Sequence, residues 1–365
     1  MPYNGPVKKS NIIHRLLNNC IRKTLAFGAC LLWAGIGGGH TAQAESSQVS
    51  ASLVHTMHYD DAITRALAYA PDGKTVAVAN ADSNVIQIYD TTSWRVQRSL
   101  KGGTGTVMAI TYSPDGQYIA TGLYQNGIEI WDVTAGNVIQ KMSKTDSVIS
   151  LDISKSGDLL LSSDEDFKTG RASVKLWDWK NGALLKTVMD ETVESFYPTE
   201  VKFSPVDHIF AVSIANSSHG VLLFDQQHGK RLHIKASQDV YAVAFHPKTS
   251  TLAFGGGDEK QGFIKVWNMK TKKDIFVLND DQDPFVESLK FSPSGDHLFS
   301  VGSHVNTARF RVWNSSNGKQ ILKVASAQKN TGVMELRPDG LQIAVVLKTN
   351  GNVGNPPTIE IYDVQ

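Results

Sequence analysis

A four-part motif that returns seven times constrains this 365-residue chain more than any other feature. Its clearest copy runs from Val107 to Met142, VMAITYSPDGQYIATGLYQNGIEIWDVTAGNVIQKM. Val107 to Tyr112 alternates apolar and small residues, Ser113-Pro114-Asp115-Gly116 turns the chain, and Tyr118 to Thr121 returns. Ile128 to Asp132 then crosses again, and Val138 to Met142 closes the unit. Pro114 presets φ near −65°, Asp115 can bond its own backbone, and Gly116 accepts the positive φ with which the next strand leaves. The turn recurs as Ala70-Pro71-Asp72-Gly73, Lys155-Ser156-Gly157, Ser204-Pro205-Val206-Asp207, His246-Pro247-Lys248, Ser292-Pro293-Ser294-Gly295 and Arg337-Pro338-Asp339-Gly340. The third segment ends in phase with it, as Ile88-Tyr89-Asp90, Ile130-Trp131-Asp132, Leu176-Trp177-Asp178, Leu223-Phe224-Asp225, Val266-Trp267-Asn268, Val312-Trp313-Asn314 and Ile361-Tyr362-Asp363. Successive aromatics lie 42, 46, 47, 43, 46 and 49 residues apart, so two independent motifs keep one register along the chain.

A period of this length with four strands per unit predicts an all-β fold, a seven-bladed β-propeller of four-stranded blades. In Ile128-Glu129-Ile130-Trp131-Asp132, alternation sends Ile128 and Ile130 to one sheet face and Glu129 and Trp131 to the other. A blade has a neighbour on each face, and an indole is large enough to fill the gap between two blades. The chain ends two residues after Asp363, so the last repeat lacks a fourth strand. Ser52 to Met57 precedes the first repeat and corresponds to Val96 to Leu100 one repeat later. It is expected to complete the last blade and remove an open edge. Residues 45–365 then form a single propeller, for which a monomer is the default.

On the Trp-Asp pairs at 131 and 177, the Trp-Asn versions at 267 and 313 and the turns, the chain resembles a bacterial member of the WD-repeat β-propeller family across residues 51–365. The SPDG-type turns are also similar to those of TolB-type and lactonase-like propellers. The sequence departs from the WD pattern in two ways. Its only Gly-His is Gly39-His40, outside the repeats, and no regular Asp stands six residues before each Trp. The His-Ser/Thr-Asp-Trp hydrogen-bond network that the resemblance implies is therefore expected to be absent.

The first 44 residues have another character. Lys8, Lys9, Arg15, Arg22 and Lys23 are followed by an apolar run from Leu25 to Gly38 and by Ala42-Gln43-Ala44 before Glu45, the pattern of a secretory signal peptide. An apolar run of 14 residues is short for a spanning helix of about 20, so no stable membrane insertion is expected after cleavage. Cys30 lacks the residues that usually precede a lipidated cysteine. Both cysteines, Cys20 and Cys30, fall in the leader, which leaves the mature chain without a disulfide, thiolate nucleophile or cysteine metal ligand. Cleavage near Ala44 lowers Lys+Arg from 36 to 31 against 35 acids and takes the formal charge from +1 to −4. A periplasmic or secreted protein is expected, with no nucleic-acid footprint.

Propeller connectivity places the second-to-third strand loops and the blade-to-blade links at one end. The acids assigned there are Asp60, Asp61, Asp82, Asp146, Asp164, Glu165, Asp166, Asp190, Glu191, Glu194, Asp239, Asp258, Glu259, Asp280, Asp281 and Asp283. They face only Lys101, Lys144, Lys168, Arg171, Lys260, Lys329 and Lys348. Such an end favours a basic partner surface or a cation. The same residues also suit turns and keep a secreted protein soluble. Tyr124, Phe196, Tyr197 and Phe285 beside them are candidate contact anchors or packing for their own blades. Asp164-Glu165-Asp166 and Asp280-Asp281-Gln282-Asp283 offer hard oxygen ligands to calcium, although neither matches an EF-hand, and no other cofactor is indicated. The histidines form no metal motif, no G-x-S-x-G elbow occurs, and Gly255-Gly256-Gly257 reads as a close-packed strand end. The first functional expectation is a non-enzymatic scaffold whose acidic end binds another envelope or secreted protein or peptide. The alternative is a lactonase-like hydrolase with a divalent metal at the channel mouth, a site that needs inward-pointing acids from several blades.

Overall fold

The chain divides into two compact units, Met1–Gln48 and Val49–Gln365. The computed structural model describes residues 49–58, 64–80, 85–143, 145–194, 196–216, 220–227, 229–280, 285–304, 307–325, 331–347 and 358–365, all within the second unit. The leader and its cleavage point lie outside the described residues, as do Asp60, Asp61, Asp82, Asp281 and Asp283.

Among the described residues every regular element is a strand. After β1 (Ala51–His58), blade 1 holds β2 (Thr64–Tyr69), β3 (Thr75–Asn80), β4 (Val85–Asp90) and β5 (Val96–Leu100). Blade 2 holds β6 (Val107–Tyr112), β7 (Tyr118–Leu123), β8 (Ile128–Asp132) and β9 (Asn137–Met142). Blade 3 holds β10 (Ser147–Ile153), β11 (Leu159–Asp166), β12 (Arg171–Asp178) and β13 (Ala183–Thr192). Blade 4 holds β14 (Tyr197–Phe203), β15 (Ile209–Ala215), β16 (Gly220–Asp225) and β17 (Gly229–Lys235). Blade 5 holds β18 (Asp239–Phe245), β19 (Thr251–Gly257), β20 (Gly262–Asn268) and β21 (Lys273–Asp280). Blade 6 holds β22 (Phe285–Phe291), β23 (His297–His304), β24 (Thr307–Asn314) and β25 (Gln320–Ala325). Blade 7 holds β26 (Thr331–Leu336), β27 (Gln342–Leu347) and β28 (Thr358–Val364).

Seven four-stranded antiparallel sheets result, each in the order first, second, third, fourth strand, and the seven blades form a β-propeller. The first strands β2, β6, β10, β14, β18, β22 and β26 neighbour one another around the axis. The anticipated closure is present: β1 pairs with β28 as the fourth strand of blade 7, with Met57 opposite Ile359. Ser50 and Gln365 exchange backbone bonds of 2.9 and 3.0 Å, which join the two ends of the described chain.

The turns work as their chemistry requires. Gly116 N–H donates to Ser113 O at 2.9 Å with φ of 71°, and Asp115 Oδ1 accepts from the Gln117 N–H at 3.0 Å. Alternation then fills the gaps between blades. Trp131 packs with Ile86, Ile88 and Leu100 of blade 1, whereas Ile128 and Ile130 pack with Val148, Leu151 and Leu160 of blade 3. The indoles of Trp131, Trp177 and Trp313 donate to Thr121, Ser162 and Ser300 hydroxyls at 3.0, 2.9 and 2.8 Å. Blades 2, 3 and 6 thus keep the indole-to-hydroxyl half of the network. That bond needs only two facing strands. Gly256 is close-packed as anticipated, since a Cβ there would stand 1.9 Å from Asp239 O.

Candidate functional site

The acidic end differs in its details from the sequence picture. Hairpin β11–β12 is longer than a short loop would allow, and Asp164 pairs with Ser173 and Glu165 with Ala172 inside the ladder. Asp164 is 3% exposed, its carboxylate accepting from Lys175 Nζ at 2.8 Å and from the Ser173 hydroxyl at 2.9 Å. Glu165 is 4% exposed. Burial pushes its carboxyl up to about 7, with the charge of Asp146 adding to the rise and a hydrogen bond with Tyr197 opposing it. Phe196 is 2% and Tyr197 8% exposed. The reading of Asp164 and Glu165 as surface groups is therefore corrected, since cross-strand pairing draws the two acids into blade 3; of the two readings of Phe196 and Tyr197, burial agrees with packing and not with contact anchors.

Other candidates do reach the surface. Asp190, Glu191, Glu194, Asp258 and Glu259 are exposed, and Asp166 is half-buried. Asp166 and Asp258 are partly committed to their own loops: Asp166 Oδ1 accepts from the Lys168 N–H at 2.8 Å, and Asp258 Oδ1 from the Lys260 N–H at 2.8 Å. Asp190 accepts from Arg171 Nε at 2.7 Å. Asp280 closes β21. Tyr124 is 38% exposed and lies 5.6 Å from the ring of Phe167, which sequence reasoning passed over. The two rings belong to the second-to-third strand loops of blades 2 and 3 and form an aromatic pair across the blade boundary. Phe285 is half-buried against Tyr241, with centroids 6.1 Å apart. Among the described residues no group of three or more His, Asp or Glu is placed to hold a metal ion.

The axis carries a second cluster. Asp152 on β10, Lys202 on β14, Lys290 on β22 and Glu335 on β26 occupy one equivalent position, the third residue before the turn proline or its replacement. Blades 1, 2 and 5 have Ala68, Thr111 and Ala244 there. Lys202 Nζ lies 3.7 Å from Asp152 and 3.8 Å from Glu200, and Lys290 Nζ lies 2.6 Å from Glu335. Each of these side chains is between 19% and 25% exposed. Burial raises the carboxyls of Asp152 and Glu200, and the positive charge of Lys202 counteracts it. Burial alone would lower Lys202, but Asp152, Glu200 and Glu335 outweigh it and hold the ammonium protonated.

These acids also tie blades together. The first strand of a blade presents an unpaired backbone edge to the axis, and its N–H groups need acceptors. Asp152 Oδ2 accepts from the Phe203 N–H of blade 4 at 2.7 Å, and Glu200 Oε2 from the Val243 N–H of blade 5 at 2.8 Å. The Ser150 hydroxyl accepts from the Val201 N–H at 3.2 Å. The signal for this cluster was present in the phase of the repeat, as charged residues within what should be the innermost strand.

Residues 94–132 match the family model described as WD domain, G-beta repeat, and residues 195–328 match that of Eukaryotic translation initiation factor eIF2A. The chain is 25% identical over 213 residues to Periodic tryptophan protein 2 of Arabidopsis thaliana, covering 57% of this chain and 22% of the relative. It is 25% identical over 216 residues to Mitotic checkpoint protein bub-3 of Caenorhabditis elegans, covering 54% and 59%. It is 33% identical over 120 residues to COMPASS component SWD3 of Saccharomyces cerevisiae, covering 33% and 36%. The matched part thus spans less than two thirds of each of these relatives. The repeat match and the seven-bladed architecture together support a WD-repeat β-propeller.

Proposed function

We propose that this protein is a non-enzymatic interaction scaffold that docks a basic segment of another envelope or secreted protein on the end carrying the second-to-third strand loops. The observation that carries this reading is the pair of exposed Tyr124 and half-buried Phe167, set at the same end of the ring as Asp166, Asp190, Glu191, Asp258 and Glu259. Among the described residues of this end exposed acids outnumber exposed bases, although Lys168, Arg171 and Lys260 lie among them, and an aromatic anchor in such a surface suits a partial apolar contact flanked by lysine or arginine, with the charges acting mainly on association rate. The names of bub-3 and SWD3, a checkpoint protein and a complex component, fit an interaction role. Among the described residues the acids of this end sit on separate loops with no three grouped to hold a metal, which favours the scaffold over a metal-dependent hydrolase, whose site needs several carboxylates in convergence. The setting proposed is the periplasm or the secreted space, after cleavage beside Ala44.

Two measurements test this. Crosslinking in the native host, with the tagged protein beside a Tyr124→Ala/Phe167→Ala variant and an Asp258→Lys/Glu259→Lys variant, is expected to retain a partner on the unmodified chain. Both variants should weaken its recovery by about tenfold or more, the scale of losing one interface anchor. Recovery that is equal for all three, or that rises with salt, refutes the docking face. N-terminal sequencing of the mature chain should begin at Glu45, and a form retaining the leader in the membrane refutes the localisation.

A further inference from the structure

The opposite end of the ring is built from the first-to-second and third-to-fourth strand turns. Five of its first-to-second turns hold a glycine in the left-handed region, Gly73, Gly116, Gly157, Gly295 and Gly340, with φ between 70° and 89°. A Cβ at any of them would stand 2.2 to 3.7 Å from the turn of the preceding blade, so each glycine seats one turn closely against the next. Blades 4 and 5 depart from this pattern, with Asp207 and Thr249 at the glycine position. Side chains hold their turns instead: the Ser204 hydroxyl accepts from the Asp207 N–H at 3.0 Å, and His246 Nδ1 accepts from the Thr249 N–H at 3.1 Å. The turn of blade 5 cannot seat on blade 4 as a glycine turn does, and a cleft of about 380 Å³ lies between the two.

Val206 and Asp207 line this cleft from blade 4, and residues 248–251 with Asn268 and Lys270 line it from blade 5. Asp207 Oδ1 accepts from the Ser250 hydroxyl at 3.3 Å across the blade boundary. Its Oδ2 is buried and accepts from no group among the described residues. A carboxylate oxygen in that state calls for a donor. Lys248 and Lys270 are exposed, as are Lys272 and Lys273 in the same turn as Lys270, and none of the four enters an ion pair among the described residues. That turn, from Met269 to Lys273, contains no acid. The cleft thus combines an excess of positive charge with one unused acceptor, and Val206, 44% exposed, adds an apolar patch to the blade 4 wall.

We propose that this cleft binds a monosaccharide carrying one anionic group, a carboxylate or a phosphate. A sugar hydroxyl donates to Asp207 Oδ2, the anion meets Lys248 and Lys270, and a C–H face of the ring lies on Val206. A neutral hydroxyl fits the unused acceptor better than an ammonium does, because an ammonium there meets the repulsion of the two lysines. Lysine serves the anion as a mobile point charge, which suits either a carboxylate or a phosphate. The size agrees with the class. A volume of about 380 Å³ falls within the about 300–1,000 Å³ of small-molecule sites, and at about 30 Å³ per water it is the room of about a dozen waters, enough for a hexose derivative. The site lies at the end away from Tyr124 and Phe167 and stands independently of the docking face.

Isothermal titration of the protein with glucuronate and glucose 6-phosphate, beside glucose, acetate and inorganic phosphate, tests the assignment. At least one anionic sugar should bind one to one, about tenfold or more tighter than glucose and than its own bare anion, and the tighter of the two identifies the anionic group. Lys248→Gln/Lys270→Gln should abolish that binding. Asp207→Ala should cut the preference for the anionic sugar over the bare anion by about tenfold, a ratio from which the change in net charge cancels. Lys248→Asp/Thr249→Gly gives blade 5 the Pro-Asp-Gly turn of blades 1, 2 and 7 and should close the site, with unchanged circular dichroism showing that the fold is kept. Should a variant fail to fold, the comparison of ligands on the unmodified protein still decides. No binding up to about 10 mM, bare anions that bind as tightly as the sugars, or binding retained by a folded lysine variant overturns the proposal. So does a preference that Asp207→Ala leaves unchanged.

Discussion

Replacing Lys202 by methionine removes the cation nearest to Asp152 and Glu200 on the axis and leaves the two carboxylates only the more weakly felt charge of Lys290. At 3.7 and 3.8 Å, and with an effective dielectric of about 20, each contact represents roughly 4 kcal/mol of gross attraction. The desolvation of Lys202 is recovered in the variant, so the net cost falls in the range of about 3–5 kcal/mol found when one partner leaves a buried pair. At about 2 °C per kcal/mol for a domain of this size, the thermal midpoint at pH 7 should drop by about 6–10 °C. The pH dependence has a defined sign. Asp152 and Glu200 already stand above the usual carboxylate range. A group raised in this way contributes stability that is complete below its unfolded pKa, near 4, and is lost as pH climbs through the folded value. Without Lys202 both carboxyls rise further, so the deficit of the variant should be largest near pH 7 and shrink toward pH 4. Lys202, itself raised, stays charged throughout that window and adds no slope. Urea titrations at pH 4, 5, 6 and 7 measure this directly. A deficit that is constant with pH, or larger at pH 4, refutes the electrostatic account and leaves only lost packing. Adding Asp152→Asn and Glu200→Gln should restore most of the midpoint.

Two further outcomes are expected. Glu165, raised from 4.5 to about 7 chiefly by burial, contributes stability that is present below pH 4.5 and lost as pH rises through 7. Glu165→Gln should therefore flatten the stability profile and gain up to about 3 kcal/mol above pH 7, read from midpoints between pH 5 and 8. Deleting residues 45–58 removes β1 and exposes the outer edge of β28. The loss should be on the order of 3 kcal/mol or more, from several backbone bonds at about 0.5 kcal/mol net each, and an unchanged thermal midpoint would contradict the closure role.

Much of the fold was legible because it rests on local rules. Turns such as Ser113 to Gly116 announce themselves through backbone conformation, and the recurring Tyr, Trp or Phe near the end of each third strand marks the register. Ring closure followed from counting strands at the two ends, and the β1–β28 pairing agrees with it. The candidate site was less legible. Asp164 and Glu165 read as loop acids because their sequence is polar, yet the length of the β11–β12 hairpin is settled by pairing with Arg171 to Ser173, which composition does not reveal. In the first strands, bulges between Val148 and Ser150, Pro198 and Glu200, and Val286 and Ser288 reset the alternation. Which side chain meets the axis could not be counted off from one end of the strand.

What the sequence determined by itself is the repeat: seven turns, seven aromatic strand ends, four strands in each unit and a fragment at one end to complete the other. Those properties depend on neighbours within about 40 residues, so they are written continuously along the chain. The tertiary structure decided which charges meet. Lys202 finds Asp152 from the preceding blade, and Lys290 finds Glu335 from the next. The physical reason is that a propeller closes its gaps between sheets rather than within them. The environment of a side chain is then set by a partner a full repeat away, and a charge that reads as an ordinary polar residue in one blade becomes buried, paired or poised by the next.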